Sequence, residues 1–210
     1  MRIIIVLTSV MICSTAFAGI IEYLAEIRPL QISEEGGVLT TTRYEMNALG
    51  KPSIPYECYG FVLPYGETIS EIDVVFSEHT VLEGKLNIRP AQLPTLISQV
   101  DVAVTIDSEV YGSSELYPQK DSELRCVERL SGFDIAILNV YPYKYSPARK
   151  ELSYYQQVSI RLRTVSDIGI RAQQSPMVCR STSVLNRLEK LTVNPAMVES
   201  YPEMDKNDFN

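Results

Sequence analysis

The chain has 210 residues, 45% of them hydrophobic, which is enough to bury one substantial core plus appendages. Its formal net charge is −7, with 26 acidic residues against 19 basic ones, so composition gives no support for nucleic-acid binding.

The first 18 residues are predicted to form a secretory signal peptide. Arg2 supplies a minimal positive start, residues 3–12 are apolar, and residues 16–18 (Ala-Phe-Ala) fit the small-residue rule for cleavage. We expect cleavage between Ala18 and Gly19, followed by secretion or retention in the cell envelope. An uncleaved membrane anchor is the alternative, although the apolar segment is too short to span a bilayer comfortably.

Alternation of apolar and polar residues recurs along the rest of the chain. This pattern is typical of antiparallel strands that place one face on a core and the other in water. In chain order, the predicted strands are 20–27, 56–63, the row Ile72, Val74 and Phe76, the row Leu82, Leu86 and Ile88, the row Val100, Val102, Val104 and Ile106, 133–140, and the row Val158, Ile160 and Leu162. Proline and glycine punctuate the intervals, so we predict an all-β fold, an antiparallel β-sandwich of roughly seven to ten strands over residues 19–180.

The segment 133–140 is the clearest of these strands. It is a short apolar run rich in β-branched residues, which favours a buried strand over a helix. A corner, Tyr141-Pro142-Tyr143, follows it. Pro142 is expected to end the strand, because proline cannot donate a hydrogen bond to a central ladder.

A short helix is predicted near the C-terminus. Ser183 is a candidate cap, and Val184, Leu185, Leu188 and Leu191 are spaced for one helical face. We interpret residues 181–210 as a helical strap and linker, with little structure of their own expected from Asn194 onward.

No constellation of residues predicts catalysis, a metal site or a cofactor site. A cysteine peptidase needs a thiolate and a histidine base in contact, and the only histidine, His79, is predicted to lie at the start of a strand, at the surface. Cys58, Cys126 and Cys179 remain after signal removal. The odd number leaves open one disulfide or none, and unpaired, buried cysteine is the default prediction.

Two ordered strings, VLEGKLNIRPAQ within residues 78–94 and VYPYKYSPARKELSYY within residues 132–155, resemble the propeptide domain of the gingipain-like cysteine peptidases. A weaker similarity extends from Ile54 to Val165, and the tail from Val193 to Pro202 looks like the segment that leads into the peptidase domain in such precursors. The resemblance implies a zymogen prodomain that assists folding of a peptidase and keeps it latent, in a chain that lacks the catalytic domain. The implied partner is the cognate gingipain-like peptidase, in the same chain or another.

The resemblance also implies a loop that occupies the substrate cleft. Family members that cleave after basic residues would accept a basic side chain from this loop. Lys120, in the polar stretch 112–123, is the first candidate, and Arg149 and Lys150 follow.

A second hypothesis is a stand-alone extracellular β-sandwich that binds or adheres to a ligand. Its candidate surface is the set of exposed aromatic residues expected around the corner, namely Tyr141, Tyr143, Tyr145, Tyr154 and Tyr155. Tyrosine at strand ends is more often packed with its hydroxyl at the rim, and we favour that structural interpretation.

Overall fold

The computed structural model describes residues 18–32, 38–39, 44–92, 104–167, 169–170 and 178–202. The strands in these ranges are β1 (Ala18–Glu26), β2 (Gln31–Ile32), β3 (Val38–Leu39), β4 (Tyr44–Glu45), β5 (Pro55–Val62), β6 (Glu67–Val81), β7 (Ser122–Leu130), β8 (Phe133–Val140), β9 (Tyr143–Ser146) and β10 (Glu151–Ser166). The helices are α1 (Ser108–Tyr111), α2 (Thr182–Leu191) and a 3₁₀ helix at Pro195–Ser200.

The strands form two antiparallel sheets and a small hairpin. Sheet 1 has the order β1-β10-β6, with β9 also paired to β10, and sheet 2 has the order β4-β5-β8-β7. The hairpin joins β2 and β3. The predicted all-β antiparallel fold with a short C-terminal helix is confirmed.

A first apolar core fills the space between the two sheets. Val158, Ile160 and Leu162 of β10 are fully buried, and Ala136 and Leu138 of β8 meet them from sheet 2. Burial of each whole aliphatic side chain contributes about 1.5–3 kcal/mol. The period-two pattern therefore predicted the inward face of β10 correctly.

A second core lies on the outer face of sheet 2. Odd-numbered residues of β8, Phe133 and Ile135, point away from the first core and pack with Leu188 of α2 and with Tyr201. Tyr201 is 2% exposed, and its hydroxyl accepts a hydrogen bond of 2.8 Å from the backbone N–H of Asp134. Helix α2 thus covers one part of a sheet face that would otherwise meet solvent.

The C-terminal strap, residues 182–202, is more ordered than the sequence predicted. Helix α2 is capped by Ser181, two residues before the predicted cap. Asn194, the predicted start of a linker with little structure, donates to the Val62 carbonyl and accepts from the Val62 N–H at 2.9 and 2.8 Å. The expectation of little structure is wrong for residues 194–202, because Pro195 starts a 3₁₀ helix that extends to Ser200. Residues 203–210 lie outside the described residues.

Two predicted strands are wrong where the structure describes them. The segment 82–89 lies outside every described strand, and Gly84 within it has a positive φ of 101°. Leu86 and Ile88 are nevertheless buried, so their alternation reflects packing on the core without strand pairing. Val104 and Ile106 are exposed and lie outside any strand, whereas Val100 and Val102 lie outside the described residues.

Strand β7 was missed by the sequence analysis. It is an edge strand with mostly exposed residues and a bulge between Leu124 and Cys126, which interrupts any regular alternation. Of the predicted signal peptide, 1–18, the structure describes only Ala18. No helix in the described ranges is long and apolar enough to cross a membrane.

Candidate inhibitory-loop site

The loop between α1 and β7, residues 112–121, carries Lys120, the first candidate for a side chain that enters a peptidase cleft. Backbone hydrogen bonds fix the C-terminal half of this loop to the sandwich. Tyr117 and Tyr145 exchange two N–H···O bonds of 2.8 Å, and the Tyr141 N–H donates to the Asp121 carbonyl at 2.9 Å. The loop is therefore held against β9 on one side and against the end of β8 on the other.

Lys144 fixes the same loop from inside the protein. Its ammonium donates to the carbonyls of Pro118 and Lys120 at 2.9 and 3.0 Å, and to Asp121 Oδ1 at 2.9 Å. Only 7% of this side chain is exposed. A buried cation needs partners for all its donors, and here the acceptors of one loop supply them.

Lys120 itself points outward and is 46% exposed. Its ammonium pairs with Glu123 and lies 5.2 Å from the centre of the Tyr141 ring. The hydrogen bond with Glu123 raises the pKa of Lys120, and the same bond lowers the pKa of Glu123. Both groups are therefore charged at neutral pH. Exposed pairs of this kind contribute only about 0.2–1 kcal/mol, so the lysine can be released at small cost.

Lys120 also borders a groove of about 710 Å³. The groove is lined by residues of three segments, Met46, Ala48 and Lys51, then Asp107, Glu109, Val110 and Ser113, and then Glu115, Leu116, Tyr117, Pro118, Gln119 and Lys120. The loop thus forms one wall of a concave surface and presents its basic end at the rim.

The other two candidates, Arg149 and Lys150, lie at the opposite end of β9, in the turn to β10. Arg149 is 63% exposed and pairs with Glu151 at 3.1 Å. Lys150 has a positive φ of 57°, and its carbonyl accepts from the Leu86 N–H at 2.8 Å. The fold does not bring these two residues to Lys120.

The predicted signal-cleavage residues open β1. Ala18 pairs with Val165 and Gly19 with Thr164. A Cβ at position 19 would lie 2.6 Å from Thr164 Oγ1 and 2.9 Å from Glu67 Oε2, so the strand leaves no room for a side chain there. Cleavage of the chain between Ala18 and Gly19 stays a prediction.

His79 and the cysteines lie apart in the fold. His79 is exposed on β6 of sheet 1, with its ring 5.0 Å from that of Tyr155. Cys58 and Cys126 lie on β5 and β7 of sheet 2, and Cys179 precedes α2. All three thiols are free. The prediction that they are buried is wrong, because Cys179 is exposed and the other two are half-buried.

The tyrosines of the corner are structural. Tyr141, Tyr143, Tyr145 and Tyr154 are at most 7% exposed. The hydroxyls of Tyr143 and Tyr145 donate to the carbonyls of Arg28 and Leu86, both at 2.8 Å. Burial raises the pKa of both hydroxyls. The packing interpretation is confirmed for these four residues, whereas Tyr155 is half-buried and stacks on Phe76 with ring centres 5.0 Å apart.

Two side chains near the loop were missed by sequence reasoning. Lys144 stands between two tyrosines in a four-residue strand that is buried throughout, and that placement was the available signal for a buried cation. Arg125 occupies the bulge of β7, for which the sequence carries no signal.

Comparison with solved structures identifies the fold. The chain matches a structure of the complex of RgpB pro- and mature domains from Porphyromonas gingivalis, at 16% identity and a TM-score of 0.57, over 84% of this chain and 93% of that one. It also matches a structure on the zymogenic latency of gingipain K from the same organism, at 15% identity and a TM-score of 0.53, over 73% of this chain and 95% of that one. No family model and no curated protein matches the sequence.

The chain therefore shares its fold with these two structures. The resemblance predicted from the two strings is thereby confirmed at the level of the fold, across most of the chain.

Proposed function

We propose that this chain is an exported prodomain of a gingipain-like cysteine peptidase, which keeps the peptidase latent and assists its folding. The observation that carries the proposal is the shared fold, because the matched structures describe a complex of pro- and mature domains and a latent zymogen. In this role the chain restrains its partner, and cleavage of peptide bonds is the partner's activity.

Latency would arise from Lys120. The loop is fixed by Lys144 and by the Tyr117–Tyr145 bonds, while the Lys120 side chain is exposed and held only by a surface pair. A rigid loop with one exposed, weakly paired basic side chain loses little conformational entropy on entering a cleft, which favours binding. Where the two domains are joined in one chain, docking is intramolecular, and an effective concentration that reaches about millimolar makes even modest affinity sufficient.

The proposal is tested by inhibition of the mature gingipain-like peptidase of the source organism, with mature RgpB and gingipain K as further probes. Lys120→Ala is expected to weaken inhibition at least about tenfold, since it removes the group that fills the specificity pocket. The matched control is Lys190→Ala, an exposed lysine on α2. Equal inhibition by both variants would exclude Lys120 as the inserted residue, and no inhibition by the unmutated chain would exclude latency.

A further inference from the structure

The outer face of sheet 2 is only partly covered by the strap. Beyond the second core, this face continues at the other end of β5 and β8, where Cys58 pairs in register with Asn139. Because side chains alternate along β8, Asn139 points to the same outer side as Phe133 and Ile135. We call the surface formed by Tyr44, Tyr56, Arg125, Asn139 and Tyr141 the tyrosine–arginine face.

Two tyrosine rings, Tyr44 and Tyr56, form the floor of this face, and the buried ring of Tyr141 supports them. Tyr44 and Tyr56 stack with ring centres 5.5 Å apart, and Tyr56 lies 5.8 Å from Tyr141. Tyr44 at the edge is 43% exposed, whereas Tyr141 is buried beneath its neighbours. Tyrosine is enriched at the energetic centres of protein interfaces, because it offers a large rigid surface with a polar end.

Arg125 is an exposed residue of β7, the strand next to β8. It is the bulged residue of β7, and a bulge turns a side chain away from the direction that regular alternation would give it. Burial raises the pKa of Cys58 and of Tyr56, and the positive charge of Arg125 opposes both shifts. The charge of Arg125 therefore acts on the β5 residues of this face. Among the described residues no carboxylate pairs with it.

Asn139 supplies a second unsatisfied group. Its side-chain oxygen Oδ1 has no hydrogen-bond partner and is buried, and the whole residue is only 9% exposed. An unpaired buried acceptor costs about 1–3 kcal/mol. The complement of an exposed guanidinium without an acidic partner is a carboxylate.

The face is continuous with the candidate inhibitory loop. Lys120 lies over the ring of Tyr141, and the Tyr141 hydroxyl donates to Glu123 at 2.9 Å. On its other side Lys120 borders the groove that begins at Met46, next to β4 with Tyr44. A protein that accepts Lys120 in its cleft would therefore meet the tyrosine–arginine face directly beside that cleft.

We propose that the tyrosine–arginine face is the docking surface for the peptidase partner, and that a partner carboxylate pairs with Arg125 beside the cleft that receives Lys120. The inference rests on the proposed function and specifies where the two proteins join. It commits to a protein partner with an acidic side chain flanked by apolar surface, because the floor of the face is aromatic and its free charge is positive.

The test is inhibition of the mature peptidase by the full chain carrying Arg125→Glu. Reversing the charge opposite a partner carboxylate is expected to raise the inhibition constant at least about thirtyfold. Tyr44→Ala is expected to raise it about tenfold. The matched control is Arg187→Glu, the same charge change at an exposed arginine of α2, which should leave inhibition within about threefold of the unmutated chain.

The outcomes separate the two claims. If the unmutated chain inhibits and Arg125→Glu inhibits equally well, the docking surface is wrong while the proposed function stands. If the unmutated chain inhibits nothing, both fall. Sedimentation of each variant adds a further check. If a variant no longer self-associates but still inhibits the peptidase, the face is a contact between two copies of this chain, and the proposal is wrong.

Discussion

Lys144 lies inside the sandwich, and its ammonium is surrounded by two carbonyl oxygens and one carboxylate of the 112–121 loop. Such a group does more to fix one conformation than to add net stability, because desolvation of the charge offsets most of what its partners return. Its position explains how a polar, proline-containing loop is held rigidly next to an exposed, weakly paired Lys120.

Replacing Lys144 by methionine should be strongly destabilising. The change keeps most of the side-chain volume but leaves the carbonyls of Pro118 and Lys120 without their donor. We expect the free energy of unfolding to fall by about 2–4 kcal/mol, measured by urea denaturation. Lys85→Met, at an exposed lysine, is the control and should change it by less than about 0.5 kcal/mol. Equal midpoints for the two variants would show that the Lys144 bonds do not order the loop.

At the scale of elements, the strap, residues 182–202, completes sheet 2. The Val193 N–H donates to the Gly60 carbonyl, and the Asn194 side chain bonds the N–H and the carbonyl of Val62. The strap thus supplies hydrogen-bond partners to backbone groups of β5. A Cβ at position 60 would lie 2.3 Å from the Leu191 carbonyl oxygen. Glycine at this position therefore permits the close approach of the end of α2 to the sheet.

Asn194→Ala should loosen this strap. The substitution leaves the N–H and carbonyl of Val62 unpaired at a partly buried position. We expect a loss of about 2–3 kcal/mol in the free energy of unfolding, with earlier proteolytic cleavage within residues 182–202. Asn186→Ala, at an exposed asparagine of α2, is the matched control and should behave like the unmutated chain. Identical protease sensitivity of the two variants would contradict the role given to Asn194.

For the whole molecule, alternation in the sequence predicted the strands that face the first core. The row Val158, Ile160 and Leu162 predicted its strand correctly because sheet 1 has one buried face and one solvent-exposed face. Such a sheet gives strict alternation of apolar and polar residues along a strand. Leu86 and Ile88 failed as predictors of a strand because burial without strand pairing gives the same pattern. The two strings that resemble gingipain propeptides indicated the fold without any help from periodicity.

The candidate site was only partly predictable. Lys120 could be chosen from the sequence because a basic residue in a polar loop is visible there, but its separation from Arg149 and Lys150 depends on the length of β9. The tyrosine–arginine face joins residues of β4, β5, β7 and β8, and its free charge depends on a bulge. Long-range pairing of this kind has no local signature in the sequence.

The central claim is that this sandwich holds a gingipain-like peptidase latent. The most direct measurement is the residual activity of the mature peptidase of the source organism, titrated with the purified unmutated chain. The account predicts that activity falls towards zero as the two proteins reach equal concentration, and returns once the peptidase is separated from the chain. Full activity in the presence of a large excess of the chain would contradict it.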